Sequence, residues 1–234
     1  MNHRQKHLSA CLLAIAALLS MAPIQGAWAQ TAPALGTASG FAVLGGTAVT
    51  CTTGSVAGDV GISPGSAFTN TGCTFTGGTP PATNAAAAGA RTDFLSAYAT
   101  LQSMPCTQWL SGTLAGQNLA PGVYCVSAEA KTGALTLAGP SNGVWIFLVN
   151  GALTGTNFSV VMDGGGQPCN VFWAPSAAAT MTTSAFKGNI LAGDAIDGSI
   201  TLTGGTLAGR VLANVAVTMT GASVIGCVSG SSSC

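Results

Sequence analysis

Threonine side chains recur at regular intervals near the end of this chain, and their hydroxyls are its most regular set of hydrogen-bonding groups. Three segments, residues 179–192, 200–213 and 217–226, each open with an apolar residue, threonine, apolar residue and threonine, and then reach a corner of small residues. Threonine is a common strand residue, so three unrelated strands are one interpretation. Because the threonines and the leucine or methionine between them align in all three segments, we favour a repeat.

Two earlier segments carry the same pattern. Residues 50–60 align with residues 180–190. Residues 153–158 also align, with Leu153 opposite Met181. The repeat therefore occurs towards both ends of the chain.

Groups suited to catalysis are scarce. Only 5% of the residues are charged, and both histidines lie within residues 1–29. Asp194 and Asp197 share one glycine-containing loop, and enzymes that cleave polysaccharides use paired acids. Aspartate is also a common turn residue, so a solvated turn is the favoured interpretation. Lys187 and Arg210 lie at glycine corners, where we expect exposed charges. The sequence therefore predicts no enzyme activity, no cofactor and no metal site.

Residues 1–29 have the features of a secretory signal peptide: a basic start, an apolar stretch and an Ala-Trp-Ala cleavage site. The apolar stretch is shorter than the roughly 20 residues that a membrane span needs. We expect a secreted, extracellular protein in which residues 30–234 form a single domain. That domain has four basic and six acidic side chains, too few cations to bind nucleic acid by neutralising its phosphates.

Export permits disulfide bonds. Cys51 and Cys73 flank one loop-rich segment, and Cys106 and Cys125 flank another. We expect these two pairings, although spacing alone does not determine connectivity. Three further cysteines cannot all pair within one chain: Cys169, Cys227 and Cys234.

One helix is predicted, at about residues 84–104. Its apolar stripe is formed by Phe94, Leu95, Tyr98 and Leu101. About 20 residues give a helix of roughly 30 Å, which is the height of about six stacked strands. Residues 61–81 are rich in glycine, serine, threonine and proline, and they predict an irregular loop.

Repeats of about 20 residues with short strands and glycine corners indicate a β-solenoid, because one turn cannot bury its own apolar side and the turns must stack. A helix as long as the stack would let the chain build turns back towards its start, which would place the last turn beside the first. Strand alternation then assigns the two sides of each strand. The predicted inward residues are Cys51, Leu153, Met181, Leu202 and Met219.

The threonines on either side of these residues are predicted to point outward in two columns. The first column is Thr50, Thr180, Thr201 and Thr218. The second is Thr52, Thr154, Thr182, Thr203 and Thr220, and just past it lie Ser55, Asn157, Thr206 and Ser223. Alternate residues of a strand lie about 6.6 Å apart and neighbouring turns about 4.8 Å apart. The result would be a flat lattice of hydroxyls and methyls, stiff at χ1.

Such a lattice suits a ligand that repeats in two directions and carries no charge, and ice is such a ligand. The alternative is that the threonines only stabilise their cross-strand neighbours.

The chain resembles the ice-binding (antifreeze) protein family with a discontinuous β-solenoid, the DUF3494 type. The segments that carry the resemblance are residues 39–44, 57–61, 119–124, 169–173 and 186–192. The resemblance implies an all-β fold with one long helix, namely a right-handed, three-faced β-helix with the α-helix packed along its length. It also implies secretion and adsorption to ice through one flat face.

Some members of that family carry a T-A/G-x-T/N motif on the ice-binding face. Residues 47–50, 154–157 and 203–206 match the motif, residues 220–223 nearly do, and residues 182–185 depart from it.

We therefore expect a monomeric protein that adsorbs to ice, produces thermal hysteresis and inhibits ice growth and recrystallisation. A cell-surface adhesin or structural module is an alternative, and a polysaccharide-active β-helix enzyme is a more distant one. The expected ice-binding residues are Thr50, Thr52, Thr154, Thr156, Asn157, Thr180, Thr182, Thr201, Thr203, Thr206, Thr218, Thr220 and Ser223.

Overall fold

A computed structural model describes residues 30–76, 83 and 85–227. The described chain is mostly parallel β-structure with one α-helix, α1 (Ala85–Gln102). Its strands are β1 (Phe41–Gly45), β2 (Ala48–Ala57), β3 (Asp59–Ile62), β4 (Ala67–Thr76), β5 (Gln108–Leu110), β6 (Asn118–Leu119), β7 (Gly122–Ser127), β8 (Lys131–Ala138), β9 (Trp145–Asn150), β10 (Leu153–Asp163), β11 (Val171–Pro175), β12 (Ala179–Thr182), β13 (Ala185–Lys187), β14 (Asn189–Ala192), β15 (Ile200–Thr203), β16 (Thr206–Ala208), β17 (Val211–Ala213), β18 (Ala216–Thr220) and β19 (Ser223–Ile225). The predicted signal peptide, residues 1–29, lies outside the described residues.

Eight parallel strands form the sheet that α1 covers, which we call the helix sheet. Its strand order is β3-β1-β17-β14-β11-β9-β7-β5. The last turn of the chain lies beside the first, because β17 pairs with β1 through Val211 and Val43. The predicted return of the chain towards its start is therefore confirmed.

The remaining strands form a second parallel sheet, in which β2, β4 and β10 are long enough to take part in two successive ladders. The first halves of these strands pair with β12, β15 and β18, and we call this set the threonine ladder. Their second halves belong to a ladder with β13, β16 and β19, which we call the adjacent ladder.

Apolar side chains from the ladders and the helix sheet fill the interior. The five predicted inward residues are buried, with at most 3% of each side chain exposed. Large rings stack at the centre, where the ring centroids of Phe147 and Trp173 lie 3.9 Å apart. Strands of the two ladders bury alternate residues, as expected of a strand with one face on a core, whereas strands of the helix sheet such as β1 and β11 are buried on both faces.

The register of β10 differs from the predicted alignment. Leu153 pairs with Ala179, and Gly155 takes the place opposite Met181. Leu153 was matched to Met181 because both are large and apolar. Gly155 fits opposite Met181 because the Met181 sulfur would lie only 2.7 Å from a Cβ at position 155.

Helix α1 packs along the helix sheet, and its bounds lie within two residues of the predicted ones. Its buried face is built mainly from small residues, because Ala87, Ala90 and Ala97 are at most 2% exposed beside Phe94 and Leu101. Two predicted members of the stripe, Leu95 and Tyr98, are only partly buried. Alanines allow the helix axis to approach the strands closely. Among the described residues, no helix combines the length and hydropathy needed to cross a bilayer.

Two predictions about local structure are wrong. Residues 61–81 were expected to be irregular, yet β3 ends at Ile62 and β4 spans Ala67–Thr76, while residues 77–81 lie outside the described residues. This segment can be polar and still form a strand because β4 pairs along the outside of β2. Arg210 was expected to be exposed, yet it is buried and donates hydrogen bonds to the backbone oxygens of Ser39 and Cys227. These carbonyl oxygens replace the water that the guanidinium loses.

A second buried cation lies at the other end of the stack. The Lys131 side chain is fully buried, and its Nζ donates to the backbone oxygens of Gly112 and Ser127, each at 2.9 Å. Burial lowers the pKa of Lys131.

Both predicted disulfides are confirmed: Cys51 bonds to Cys73, and Cys106 bonds to Cys125. A third joins Cys169 to Cys227 across 58 residues of sequence. Cys234 lies outside the described residues.

Candidate functional site

Twelve threonines form an array of two columns on the threonine ladder. In spatial order, the first column is Thr69, Thr50, Thr218, Thr201, Thr180 and Thr154. The second column, in the same order, is Thr71, Thr52, Thr220, Thr203, Thr182 and Thr156. Six strands at about 4.8 Å spacing make each column roughly 24 Å long.

Thr154 was predicted to lie in the second column, and this is wrong. It pairs with Thr180 in the first column, whereas Thr156 pairs with Thr182 in the second. The error follows from the two-residue shift in β10. With the correct register, neither column is interrupted.

None of the twelve threonines is buried, whereas five of the six residues between them are; the exception is Asn70 in the outermost strand, which is exposed. Thr203, for example, is exposed, whereas Leu202 beside it is 3% exposed. The array is therefore the outer surface of strands that are anchored from below.

The hydroxyls of the array are free to bind an external ligand. Within the described residues, none of the twelve makes a side-chain hydrogen bond to protein. No ionisable side chain belongs to either column. Because branching at Cβ restricts χ1, each hydroxyl and methyl holds a defined direction.

Every threonine of the second column precedes a residue with positive φ, which turns the chain from the threonine ladder into the adjacent ladder. These corner residues are Gly72, Thr53, Gly221, Gly204, Thr183 and Asn157, with φ between 45° and 81°. Glycine adopts this conformation without steric cost, whereas threonine does not. The corners repeat at one position in each turn and thereby mark one straight edge of the array.

The second column extends beyond the six strands. Thr132 follows Lys131, which pairs with Gly155, and the N–H of Thr132 donates to the backbone oxygen of Thr113. Leu114 and Gly133 are corner residues with φ of 63° and 71°. Both additional threonines therefore occupy the position just before the corner.

Three predicted site residues lie at the corner or past it rather than within the array. Asn157 is itself a corner residue, and its Oδ1 accepts a hydrogen bond of 2.6 Å from the hydroxyl of Thr183. Thr206 and Ser223 lie on the adjacent ladder in β16 and β19. Ser55, on the same ladder, donates to Ser223 Oγ at 2.9 Å. The predicted surface therefore divides at the corner into two ladders.

The three matches to the T-A/G-x-T/N motif occupy unequal positions. Residues 203–206 span the corner, whereas residues 154–157 end at it. Thr47 precedes β2, and its hydroxyl donates to the backbone oxygen of Val215. Only residues 203–206 and the near match at 220–223 are in register. The motif therefore does not define the array.

Thr69 and Thr71 belong to the array but were not predicted. The signal was present, since Thr69-Asn70-Thr71-Gly72 has the same spacing as Thr218-Met219-Thr220-Gly221. The pattern was missed because Asn70 is polar, whereas the residue between the two threonines is apolar in the predicted repeats. In the outermost strand this is tolerated, since Asn70 exchanges hydrogen bonds with the backbone of Cys73.

The acidic pair Asp194 and Asp197 forms a turn, as the favoured interpretation predicted. Asp194 Oδ1 accepts hydrogen bonds from the N–H groups of Asp197 and Ile196 at 2.7 and 2.8 Å. These bonds lower the pKa of Asp194. The Asp194 carboxylate therefore stabilises the turn in which it lies.

Comparison with known proteins identifies similar sequences. A sequence model of the Ice-binding-like family matches residues 43–225. An ice-binding protein of Nostoc sp. (strain HG1) is 43% identical over 195 residues, covering 79% of this chain and 71% of that protein. Ice-binding protein K3-B1 of Typhula ishikariensis is 32% identical over 214 residues, covering 79% of this chain and 86% of that protein.

Solved structures are similar as well. The crystal structure of an ice-binding protein from an Antarctic biological consortium superposes with a TM-score of 0.76 at 32% identity, covering 84% of this chain and 92% of that one. The ice-binding protein of the Antarctic ascomycete Antarctomyces psychrotrophicus gives a TM-score of 0.77 at 29% identity, covering 86% and 100%.

Proposed function

The chain belongs to the Ice-binding-like family, and on that basis we propose that it binds ice through the threonine array, producing thermal hysteresis and slowing ice growth and recrystallisation. The observation that carries the proposal is the pair of uninterrupted columns of exposed or partly exposed threonines, whose hydroxyls make no hydrogen bond to any described part of the protein. We also propose that the protein acts without catalysis and without a cofactor.

The proposed fold is a right-handed, three-faced β-helix. The helix sheet, the threonine ladder and the adjacent ladder would be its three faces. Parallel pairing throughout and a 21-residue step between Ile190 and Val211 support this assignment. Of these faces, α1 covers one, and Lys187 places a charge on another. The threonine ladder is left as the long uncharged face.

Adsorption would use many weak contacts at once. Threonine methyls exclude loosely held water, and the hydroxyls hydrogen-bond to water in the crystal lattice. Each contact is worth little, because a hydroxyl exchanges one water partner for another. Rigid spacing allows the contacts to form together without an ordering cost for each side chain. Ice growing between adsorbed molecules must curve, and a curved front freezes at a lower temperature.

Secretion as a monomer would bring this face into contact with extracellular ice. The signal-peptide features of residues 1–29 support export. Three disulfides are consistent with an oxidising compartment. The scarcity of cationic side chains disfavours nucleic acid as a partner.

The direct test is to grow a seed ice crystal in the purified protein while the temperature is lowered slowly. We expect the crystal to facet and to stop growing over a measurable interval below its melting point. Annealed polycrystalline ice should also keep small grains. A crystal that grows as it does in buffer, without facets or a growth-free interval, would overturn the proposal.

A further inference from the structure

Of the three tryptophans in the part of the chain that the structure describes, one lies outside the core, at the end of the stack away from β4. The side chain of Trp109 is 70% exposed, whereas Trp145 and Trp173 are fully buried. A large aromatic side chain at the surface contributes nothing to core packing, and its exposure is a cost that a bound ligand could offset. The exposure of Trp109 is not explained by the threonine array.

The end of helix α1 leaves Trp109 uncovered. Across the helix sheet, Ala174 pairs with Leu148, Leu148 with Cys125, and Cys125 with Trp109. The helix ends at Gln102, whose amide donates to the backbone oxygen of Ala174. Trp109 is therefore the outermost member of a row that the helix covers only at its inner end.

A groove opens beside the ring. It has a volume of about 160 Å³, and its apolar lining includes Leu148, Cys125 and Met104 together with Trp109. The backbone that carries the ring is held in place, because β5 pairs with β7 and a disulfide joins Cys106 to Cys125. This restraint reduces the ordering that the site needs when a ligand stacks on the ring.

Polar groups with spare hydrogen-bonding capacity border the same groove. Among the described residues, the Asn150 side chain and the indole N–H of Trp109 have no hydrogen-bond partner. Ser176 Oγ accepts the N–H of Gly151 at 2.7 Å, so its proton remains free to donate. No charged side chain lines the groove. Small-molecule sites typically combine apolar walls with a few such polar groups.

We propose that this groove binds one pyranose ring of a neutral polysaccharide, with the sugar stacked on Trp109 and its hydroxyls bonded to Asn150 and Ser176. A pyranose presents apolar C–H groups on its faces and hydroxyls at its rim, which matches a flat ring bordered by amide and hydroxyl groups. No charged side chain lines the groove to pair with an ionic ligand, which favours a neutral one. A protein partner would need roughly 800 Å² of contact on each side, far more than this groove offers.

Such a site would leave the threonine array free. Trp109 belongs to the helix sheet, and the array belongs to the threonine ladder. One molecule could therefore be held in an extracellular polysaccharide matrix while its other face contacts ice.

The test is a titration of the purified protein with cellohexaose and, separately, with maltohexaose. Acrylamide quenching of tryptophan fluorescence reports the exposure of the indole, and the difference between wild type and Trp109→Phe isolates the signal of Trp109. We expect at least one hexasaccharide to protect Trp109, with a dissociation constant of about 1 mM or tighter.

Variants assign the site. Trp109→Ala should weaken sugar binding by about tenfold or more, and Asn150→Ala should weaken it by several-fold. Both variants should keep the ice activity of wild type, and Thr203→Tyr should keep full sugar binding. The proposal is overturned if neither sugar protects Trp109 at about 10 mM, ten times the expected constant, or if binding survives Trp109→Ala. Concentration-dependent dimerisation that shields Trp109 would also overturn it and assign the groove to a second copy of the chain.

Discussion

The corner residues differ in how much their left-handed backbone conformation costs. Gly204 and Gly221 have φ of 63°, and threonine holds the equivalent position at Thr53 and Thr183. A residue with a Cβ in the left-handed region costs roughly 1–2 kcal/mol, and β-branching adds to the cost. The hydroxyl of Thr183 bonds to Asn157, whereas that of Thr53 makes no side-chain bond within the described residues.

Replacing Thr53 with asparagine should therefore stabilise the protein. Asparagine tolerates the left-handed region and already occupies the equivalent corner at Asn157. We expect Thr53→Asn to raise the free energy of unfolding by about 1 kcal/mol, measured by thermal or chemical denaturation. Thr52→Asn is the matched control, because Thr52 is an extended strand residue, and it should give no gain. Equal effects of the two substitutions would contradict the proposed corner strain.

A carboxylate ties the N-terminal segment to helix α1. Asp93 Oδ2 accepts hydrogen bonds from the hydroxyl and the N–H of Thr37, at 2.6 and 2.7 Å. The hydroxyl contributes most to lowering the pKa of Asp93, and the N–H contributes next. Because the folded-state pKa lies below the ordinary value of 3.8, ionised Asp93 stabilises the folded chain above pH 3.8.

That stabilisation should disappear as the pH falls below 3.8 and through the lowered pKa. We expect the hydrogen-exchange protection of the Thr37 amide to fall in this range. Asp93→Asn should reduce this protection already at neutral pH and remove its acid dependence. If the Thr37 amide stays equally protected in wild type from pH 6 to pH 2, the contact does not have the role described.

At the level of strands, the repeat could be predicted because threonine, an apolar residue and threonine coincide in β12, β15, β18 and β2. The pairing of β10 could not, because pattern matching aligned large residues and missed the compensation between Gly155 and Met181. Strand β4 was not predicted because it is polar, and an end strand needs apolar residues only where it faces the core. The burial of Arg210 was not predicted because the carbonyl groups that it binds are distant in sequence.

The disulfide between Cys51 and Cys73 holds the outermost strand of the array. It joins β2 to β4, which carries Thr69 and Thr71, across 22 residues of sequence. We expect the double substitution Cys51→Ala/Cys73→Ala to cost about 3 kcal/mol of stability. Loss of amide protection in β4 and a partial loss of thermal hysteresis should accompany it, because one strand of the array would fray.

Cys169→Ala/Cys227→Ala is the control, since this bond lies away from the array. That variant should lose stability and keep its hysteresis at temperatures where it remains folded. If both double variants lose hysteresis equally at matched folded fractions, β4 does not contribute to ice binding.

The molecule as a whole separates structural tasks from binding. Helix α1 and the helix sheet enclose the second layer of the core, and stacked rings such as Phe147 and Trp173 fill the first. The array is uncharged, and its threonine side chains lie outside both layers of the core. Scarce charge elsewhere, at 5% of the sequence, leaves solubility to hydroxyls and backbone groups.

The most direct measurement compares thermal hysteresis of Thr203→Tyr with that of Thr100→Tyr. Thr203 lies within the array, and Thr100 is exposed on α1 over the helix sheet, so the same ring is added to two faces. Both variants should keep their folding free energy within about 1 kcal/mol of wild type, since both sites are on the surface. We predict that Thr203→Tyr loses most of the hysteresis, because a raised ring separates the array from a flat crystal, and that Thr100→Tyr keeps it. Full hysteresis in folded Thr203→Tyr, or an equal loss in both variants, would contradict the central claim.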